Sequence, residues 1–318
     1  MKTRITELLG IKYPIFQGAM AWISYAPLVA AVSEAGGLGI IGGTIMTADM
    51  LRDEIHKVRD LTDKPFAVNI ISLSPWIDEI LEMLVEEQVL LATYGTGNPR
   101  KIIERLKPGG VMSFPVVPTP ETAKRAQDDG ADGVIVSGME GGGHVGGLST
   151  MIAVPQARDI VDLPLVAAGG IGDSRGMVAA FALGAEGVQM GTRFICTEEA
   201  ACHVNAKDFI LRSGPTDTLV TGNITGLPVR CLKNRMSLTF HEMETTGKSK
   251  EEMAFFGGGK MKQSFQDGDI EDGSVMAGQI CGMINDIPKV ADLMKNMVTG
   301  LGEVLEKVQG VLELNRNN

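Results

Sequence analysis

Aromatic residues, cysteines and long apolar runs are all scarce in this chain. Aromatic side chains make up 5% of the 318 residues, so the core has to be built from Val, Ile, Leu, Ala and Met. The four cysteines form neither a CxxC pair nor a zinc-type spacing, which favours reduced thiols over disulfides or a metal site. No apolar run reaches the ~20 residues that a membrane-spanning helix needs, and the N-terminus has no signal-peptide core. We therefore expect a soluble cytoplasmic protein.

Positive charge is also in deficit, because 29 Lys and Arg face 39 Asp and Glu, for a net charge of −10. A nucleic-acid-binding surface is therefore not expected. Glycine, by contrast, is abundant, and the 40 glycines gather at a few short sites instead of forming a repeat or a linker. Such clusters indicate tight turns or a close approach of the backbone to a ligand.

The first two-thirds of the chain repeats one pattern: a short apolar run, a polar or glycine break, and a helical segment. Apolar runs that alternate with helices indicate a parallel sheet covered by helices. Eight such units favour an α/β fold of the (β/α)8 TIM-barrel type over an open, doubly wound sheet. The eight runs are 14–20, 38–43, 65–71, 89–95, 111–117, 133–138, 164–170 and 187–192.

Helix signals and a change of pattern give the domain organisation. Ser74-Pro75 and Thr119-Pro120 each read as an N-cap followed by proline at the first helical position. Residues 1–197 are predicted to form the barrel. Residues 198–318 are predicted to form a small, mainly helical subdomain that covers the barrel mouth and packs back on the barrel, ending in one or two amphipathic helices between 286 and 313.

The longest interval between two predicted strands contains E-G-G-G-H-V-G-G at 140–147, in which His144 lies among five glycines. An enlarged loop after a barrel strand is typical of a functional site. Gly141, Gly143 and Gly146 also fit the GxGxxG pattern of dinucleotide-binding folds. The following strand, however, ends in glycine and offers no acidic residue for a ribose, which argues against that fold.

Two further glycine sites predict a phosphate-binding region. Gly169-Gly170 and Gly191-Thr192 end the seventh and eighth predicted strands, where barrels commonly bind phosphate through backbone amides. Polar residues end four strands on the same face, and a flat, polar-edged ligand with a phosphate tail, such as FMN, fits them. Ordinary tight turns and satisfied buried amides remain the alternative interpretation. The four polar residues are Gln17, Asn69, Ser137 and Gln189.

Seven segments together resemble the FMN-dependent enoyl-[acyl-carrier-protein] reductase II family, which is similar to the nitronate monooxygenases. Val145 follows His144, as an aliphatic residue does in the reductases, whereas the nitronate enzymes have Arg there. Ser137 stands where the reductases have Glu and the nitronate enzymes Gln. The segments are F-Q-G-A-M-A-W (16–22), A-G-G-L-G-I-I-G-G (35–43), K-P-F-A-V-N (64–69), G-M-E-G-G-G-H-V-G (138–146), A-A-G-G-I (167–171), Q-M-G-T-R-F (189–194) and D-G-S-V-M-A-G-Q-I (272–280).

The resemblance implies an FMN-binding barrel in which NADH or NADPH reduces the flavin. The flavin then reduces a trans-2-enoyl thioester in bacterial type II fatty-acid elongation. His144 is the implied catalytic residue, and Met276 and Gln279 are the implied substrate contacts. The implied cofactor contacts are Gln17, Gly18, Ala19, Met20, Asn69, Ser137, Gly142, Gly143, Gly169, Gly170, Gln189, Met190, Gly191 and Thr192.

The same resemblance implies acyl carrier protein as partner and a homodimer as the assembly. It leaves open whether the chain needs a monovalent cation, as some family members do. Because the carrier protein is acidic, a local basic docking patch is expected. Two other functions stay open: a nitronate monooxygenase, in which His144 takes up a proton, and a barrel that stores or senses FMN. The candidate basic residues are Arg230, Lys233, Arg235, Lys260 and Lys262.

Overall fold

Eight short parallel strands form the barrel that the apolar runs predict. A computed structural model describes residues 1–95, 97 and 99–314. Each strand pairs with its neighbour, the last strand returns to the first, and a bridge between Phe16 and Leu38 joins the first strand to the second and closes the ring. The barrel strands are β1 (Ile15–Gln17), β2 (Gly39–Gly42), β3 (Phe66–Ile71), β4 (Leu91–Gly95), β5 (Met112–Val117), β6 (Val134–Ser137), β8 (Leu165–Ala168) and β9 (Gly187–Met190).

Helices cover the outside of this ring. Close helix packing depends on small residues, since a Cβ at Gly39 of β2 would lie 2.1 Å from the Val29 carbonyl oxygen of α2. The helices are α1 (Arg4–Leu9), α2 (Ala26–Glu34), α3 (Ala48–Leu61), α4 (Ile77–Glu86), α5 (Pro99–Leu106), α6 (Pro120–Asp128), α7 (Thr150–Ile160), α8 (Ser174–Ala182), α9 (Thr192–Ile195), α10 (Val204–Leu211), α11 (Arg235–Thr245), α12 (Lys250–Gly257), α13 (Lys260–Phe265) and α14 (Val290–Leu314).

Two predicted helix starts have different outcomes. Thr119 caps α6 as predicted, since its side chain accepts from the Thr122 amide and Pro120 opens the helix. The prediction at Ser74-Pro75 is wrong by two residues, because α4 begins at Ile77. Ser74 accepts the Trp76 amide with its hydroxyl and the Ile77 amide with its carbonyl, so these residues form a turn ahead of the helix.

The segment between β9 and α14 contains a sheet that the sequence analysis missed. β10 (Thr218–Thr221) and β11 (Val229–Leu232) pair antiparallel, and β11 also pairs with β7 (Gly143–His144), which is part of the glycine loop. Helix α11 packs against β10 and α12, and Met236, Phe240 and Met253 form a small separate core. The mouth of the barrel is therefore covered by both strands and helices.

The C-terminal part of the chain returns to the barrel as the single long helix α14. It packs against α8 and α2 on the outside, and the Ser174 hydroxyl donates to the Met297 carbonyl at 2.9 Å. The residues after the boundary predicted at 197 thus contribute to the covering segment and also to the barrel wall. Within the described ranges, no helix combines the length and apolarity needed to cross a bilayer.

Candidate active site

A cavity of about 610 Å³ lies at the carboxyl ends of the barrel strands, beneath the covering segment. This size and position are typical of a site for a cofactor or a small substrate. All but two of the predicted site residues line it: His144, Gly18, Ala19, Met20, Asn69, Ser137, Gly142, Gly143, Gly169, Gly170, Gln189, Met190, Gly191, Thr192 and Met276.

Gln17 and Gln279 are the two exceptions. The Gln17 amide is fully buried, where it donates to the Ser24 hydroxyl at 2.8 Å and accepts the Ile40 amide at 3.1 Å. It therefore connects β1 to β2 inside the protein, and its side chain does not reach the cavity as the predicted cofactor contact requires. Gln279 lies outside the lining, and its backbone amide donates to the Glu140 carbonyl at 2.9 Å, which supports the glycine loop from behind.

One end of the cavity is formed by backbone. Gly169 and Gly170 have φ values of +92° and +71°, which non-glycine residues rarely adopt. A Cβ at Gly191 would have no protein atom nearer than the Met20 sulfur at 3.7 Å, so a side chain there would project into the cavity. The Thr192 hydroxyl accepts the Gly278 amide at 2.9 Å, which leaves its own hydrogen free to donate.

Polar side chains near the carboxyl ends of β3, β6 and β9 also line the cavity. The Asn69 amide nitrogen donates to the Thr93 carbonyl at 3.1 Å and to its hydroxyl at 3.0 Å, which fixes the orientation of the Asn69 side chain. Gln189 packs against Gly18, where a Cβ would lie 3.2 Å from the Gln189 Cγ. Within the described chain the Ser137 and Gln189 side chains have no hydrogen-bond partner, so both are free to bind a ligand.

The glycine loop is held by close backbone contacts. A Cβ at Gly142 would lie 2.7 Å from the Ala277 carbonyl carbon, so only glycine lets these two backbones meet. Gly143 has a φ of +77°, and the Val145 amide donates to the Pro228 carbonyl at 3.1 Å. The glycines thus bring the loop against its neighbours and leave the next residue, His144, as the side chain that meets the cavity.

The His144 ring is open to the cavity, yet the protein around it is dense enough to lower its pKa through loss of hydration. No described residue hydrogen-bonds to the ring, and Glu140 is the one other titratable side chain in the described cavity lining. At neutral pH the ring is therefore mainly neutral. Both ring nitrogens are available to exchange a proton with a ligand.

Glu140 is a site residue that the sequence analysis missed. Its carboxylate accepts the Thr150 amide at 3.0 and 3.1 Å and the Thr150 hydroxyl at 3.0 Å, at the first residue of α7. The Ser149 side chain makes no cap bond to α7, so the Glu140 carboxylate caps the helix instead. Glu140 and Thr150 are ten residues apart, so no short capping motif indicates the contact.

The covering segment supplies an apolar part of the lining that also went unpredicted. Leu227 and Pro228 come from the connection between β10 and β11, and Met261 and Phe265 come from α13. Gly226 lies in that connection and has a φ of +81°. A glycine at this position is the signal in the sequence that could have indicated the turn of the hairpin. These residues form an apolar wall of the cavity.

The structure removes one residue, Arg230, from the predicted basic patch, and the other four residues make contacts within the protein. Arg230 is 5% exposed and cannot take part in surface docking. Arg235 forms an ion pair with Asp272, and Lys262 forms one with Asp267. Lys233 donates to the Thr216 carbonyl, and Lys260 donates to Gln263.

Comparisons with known proteins agree with this geometry. The sequence matches the nitronate monooxygenase family over residues 2–82 and 71–300. The structure is similar to FabK from Thermotoga maritima, with a TM-score of 0.95, 43% identity and coverage of 98% of this chain and 99% of that one. A (3aS,4S,5R,7aS)-5-hydroxy-7a-methyl-1-oxo-octahydro-1H-indene-4-carboxyl-CoA dehydrogenase of Rhodococcus jostii is 32% identical over 94% of this chain and 95% of its own length. A probable nitronate monooxygenase of Staphylococcus saprophyticus is 35% identical over 77% of this chain and 82% of its own.

Proposed function

Because the chain belongs to the nitronate monooxygenase family of flavin-dependent oxidoreductases, we propose that it is an FMN-dependent reductase of trans-2-enoyl thioesters that uses NADH or NADPH. The observation that carries the proposal is His144, an ionisable ring that faces the cavity without a protein partner. The similarity to FabK and the aliphatic Val145 after His144 favour the reductase branch.

The lining residues fit FMN. No Lys or Arg lines the described part of the cavity, so a phosphate there would be bound by backbone amides at Gly170 and Gly191 and by the Thr192 hydroxyl. Space left by Gly191 and the left-handed backbone at Gly170 suit such an anion. Gln189 and Asn69 would meet the polar edge of the ring.

FMN, when bound, supplies the hydride that is added to the β-carbon of the substrate. Reduction of the double bond also needs one proton at the α-carbon, and negative charge develops on the thioester oxygen. The protonated His144 ring would donate that proton and then regain one from solvent. Its lowered pKa makes the imidazolium a stronger acid and reduces its population at neutral pH.

The apolar wall suits an acyl chain. Met261, Phe265 and Met276 line the cavity from the covering segment, and methionine side chains adapt to ligands of different shape. We propose that acyl carrier protein carries the acyl chain of the substrate, and the similarity to FabK supports this proposal. Arg235 and Lys262 of the predicted docking patch already form ion pairs within the protein. Coenzyme A thioesters therefore have to be tested beside thioesters of acyl carrier protein.

A nitronate monooxygenase is the second candidate, favoured by the 35% identical relative of that name. With a neutral nitroalkane as substrate, the neutral His144 ring would accept the proton from the carbon next to the nitro group, and the nitroalkane would become its nitronate. The two candidates therefore use one side chain in opposite directions of proton transfer.

Anaerobic stopped-flow spectroscopy distinguishes the candidates through flavin bleaching near about 450 nm. The reductase predicts fast bleaching by NADH or NADPH, then rapid reoxidation by crotonyl thioester, first on coenzyme A and then on acyl carrier protein. Slow bleaching by both nucleotides with prompt reduction by a nitronate would assign the protein to the monooxygenases. Absence of a flavin spectrum from the protein after incubation with FMN and removal of unbound FMN would contradict both.

A further inference from the structure

Arg230 is a buried cation that lies outside the cavity lining and takes no part in the reaction proposed above. Its side chain is 5% exposed, and no described carboxylate lies within 4.0 Å of it to form an ion pair. Burial lowers the pKa of the guanidinium, and Glu140 partly offsets this effect. Burying an arginine without an ion-pair partner is costly, so its hydrogen bonds need an explanation.

Those hydrogen bonds lead to the glycine loop. Arg230 Nε donates to the Met139 carbonyl at 2.9 Å, and one terminal nitrogen donates to the Thr218 hydroxyl at 2.8 Å. The backbone of Arg230 pairs with Gly143 in the sheet of β11 and β7. One residue of the covering segment therefore holds the loop at Met139 and at Gly143, immediately before His144.

We infer that Arg230 is a positioning residue for His144, and that it ties the orientation of the ring to the covering segment. The three glycines between Glu140 and His144 have no side chains with which to anchor the loop. A planar guanidinium directs several donors at fixed angles, which the single ammonium of lysine does not reproduce. The role in turnover rests on the proposed function, whereas the effect on the ring does not.

The test compares Arg230→Met and Arg230→Lys with a matched control, Arg158→Met. Arg158 also donates to a carbonyl, that of Leu163 at 2.9 Å, but it lies on the outer wall near the start of β8. Loss of the Met139 bond should loosen the protein packed around the His144 ring and so increase the hydration of the ring. Its pKa should then rise toward the ordinary histidine value in both Arg230 variants and stay unchanged in Arg158→Met.

The titration is read by NMR of the full-length protein labelled in histidine, where His144 is one of four signals and is assigned by its loss in His144→Ala. With crotonyl-CoA, kcat of Arg230→Met should fall roughly tenfold or more, because small displacements of catalytic groups carry such costs. The kcat of Arg230→Lys should lie between the values for wild type and Arg230→Met. KM should change less than kcat.

Each outcome bears on one of the two proposals. An unchanged His144 titration in Arg230→Met overturns the positioning role, even if kcat falls, since the loss would then arise elsewhere. A shifted titration in a protein whose wild type reduces no enoyl thioester upholds the positioning role and contradicts the proposed function. Glu140, the other titratable group in the described lining, is controlled for by repeating the titration in Glu140→Gln.

Discussion

Substitution of Gly142 by alanine tests whether the close backbone contact in the glycine loop sets the geometry of the site. An added Cβ would lie 2.7 Å from the Ala277 carbonyl carbon and 2.8 Å from the Gly278 nitrogen. Ordinary contacts begin at 3.4 Å, so the two backbones would have to separate by about 0.7 Å. The φ of Gly142 is not in the left-handed region, so the substitution adds crowding and no backbone strain.

The expected magnitudes follow from that displacement. Overpacking of this kind destabilises a fold by about 1–3 kcal/mol. Because Gly142 lies two residues before His144, a shift approaching 1 Å should lower kcat by roughly tenfold to a hundredfold. The assay is crotonyl-CoA reduction with NADH or NADPH at saturating FMN, together with a thermal melt of each variant.

Gly147→Ala provides the matched control in the same loop. A Cβ at Gly147 would have no atom within 4 Å and its φ is not left-handed, so activity should be unchanged. Stability should rise by about 0.4–1 kcal/mol through the unfolded state. The reasoning is refuted if the two variants have the same kcat and the same melting temperature.

Three further predictions follow from the structure. Burial lowers the pKa of His144, so kcat/KM for an enoyl thioester should fall as pH rises through a value below the ordinary one. Oxidation of a neutral nitroalkane should show the opposite slope, and pH profiles of wild type and His144→Ala check both. Gly191→Ala should weaken FMN binding roughly tenfold, about 1.4 kcal/mol, without lowering the melting temperature, because the added Cβ has no protein atom nearer than the Met20 sulfur at 3.7 Å. A fluorescence titration and a thermal melt measure the two effects. Iodoacetamide at pH 8 should label no cysteine of the folded protein and all four in urea, because the thiolate is the reactive form and burial raises the pKa of each thiol. The pKa is raised to about 12 for Cys196 and Cys202 and to about 11 for Cys231, and that of Cys281 is raised as well.

The barrel was predictable because its signal is local. Each strand is an apolar run such as Val134–Ser137, and helix starts such as Thr119-Pro120 carry their own capping residues. The sheet of the covering segment was not, because Thr218–Thr221 and Val229–Leu232 are four residues each and their third strand lies in the distant glycine loop. Pairing between segments so far apart leaves no periodic pattern in the chain.

The sequence also did not show which polar side chains face the cavity. A polar residue at the end of a strand could face either a ligand or the neighbouring strand, and the sequence of Gln17 and of Gln189 does not distinguish the two. The structure does, since Gln17 bonds to the Ile40 amide inside the protein whereas Gln189 faces the cavity. Glycines were more informative, because Gly169, Gly170 and Gly191 have few roles other than unusual backbone angles or space for a ligand.

The glycine loop shows why such a site needs support from distant residues. Removing side chains lets the Gly142 and Ala277 backbones touch, but it also removes the contacts that normally hold a loop in place. Side chains outside the stripped stretch supply them, as Glu140 binds Thr150 and Arg230 binds Met139. Both bonds come from side chains outside the glycine stretch, Glu140 next to it in the chain and Arg230 in the covering segment. His144 is therefore held by hydrogen bonds made to the ends of its loop and not by side chains of the glycine stretch itself.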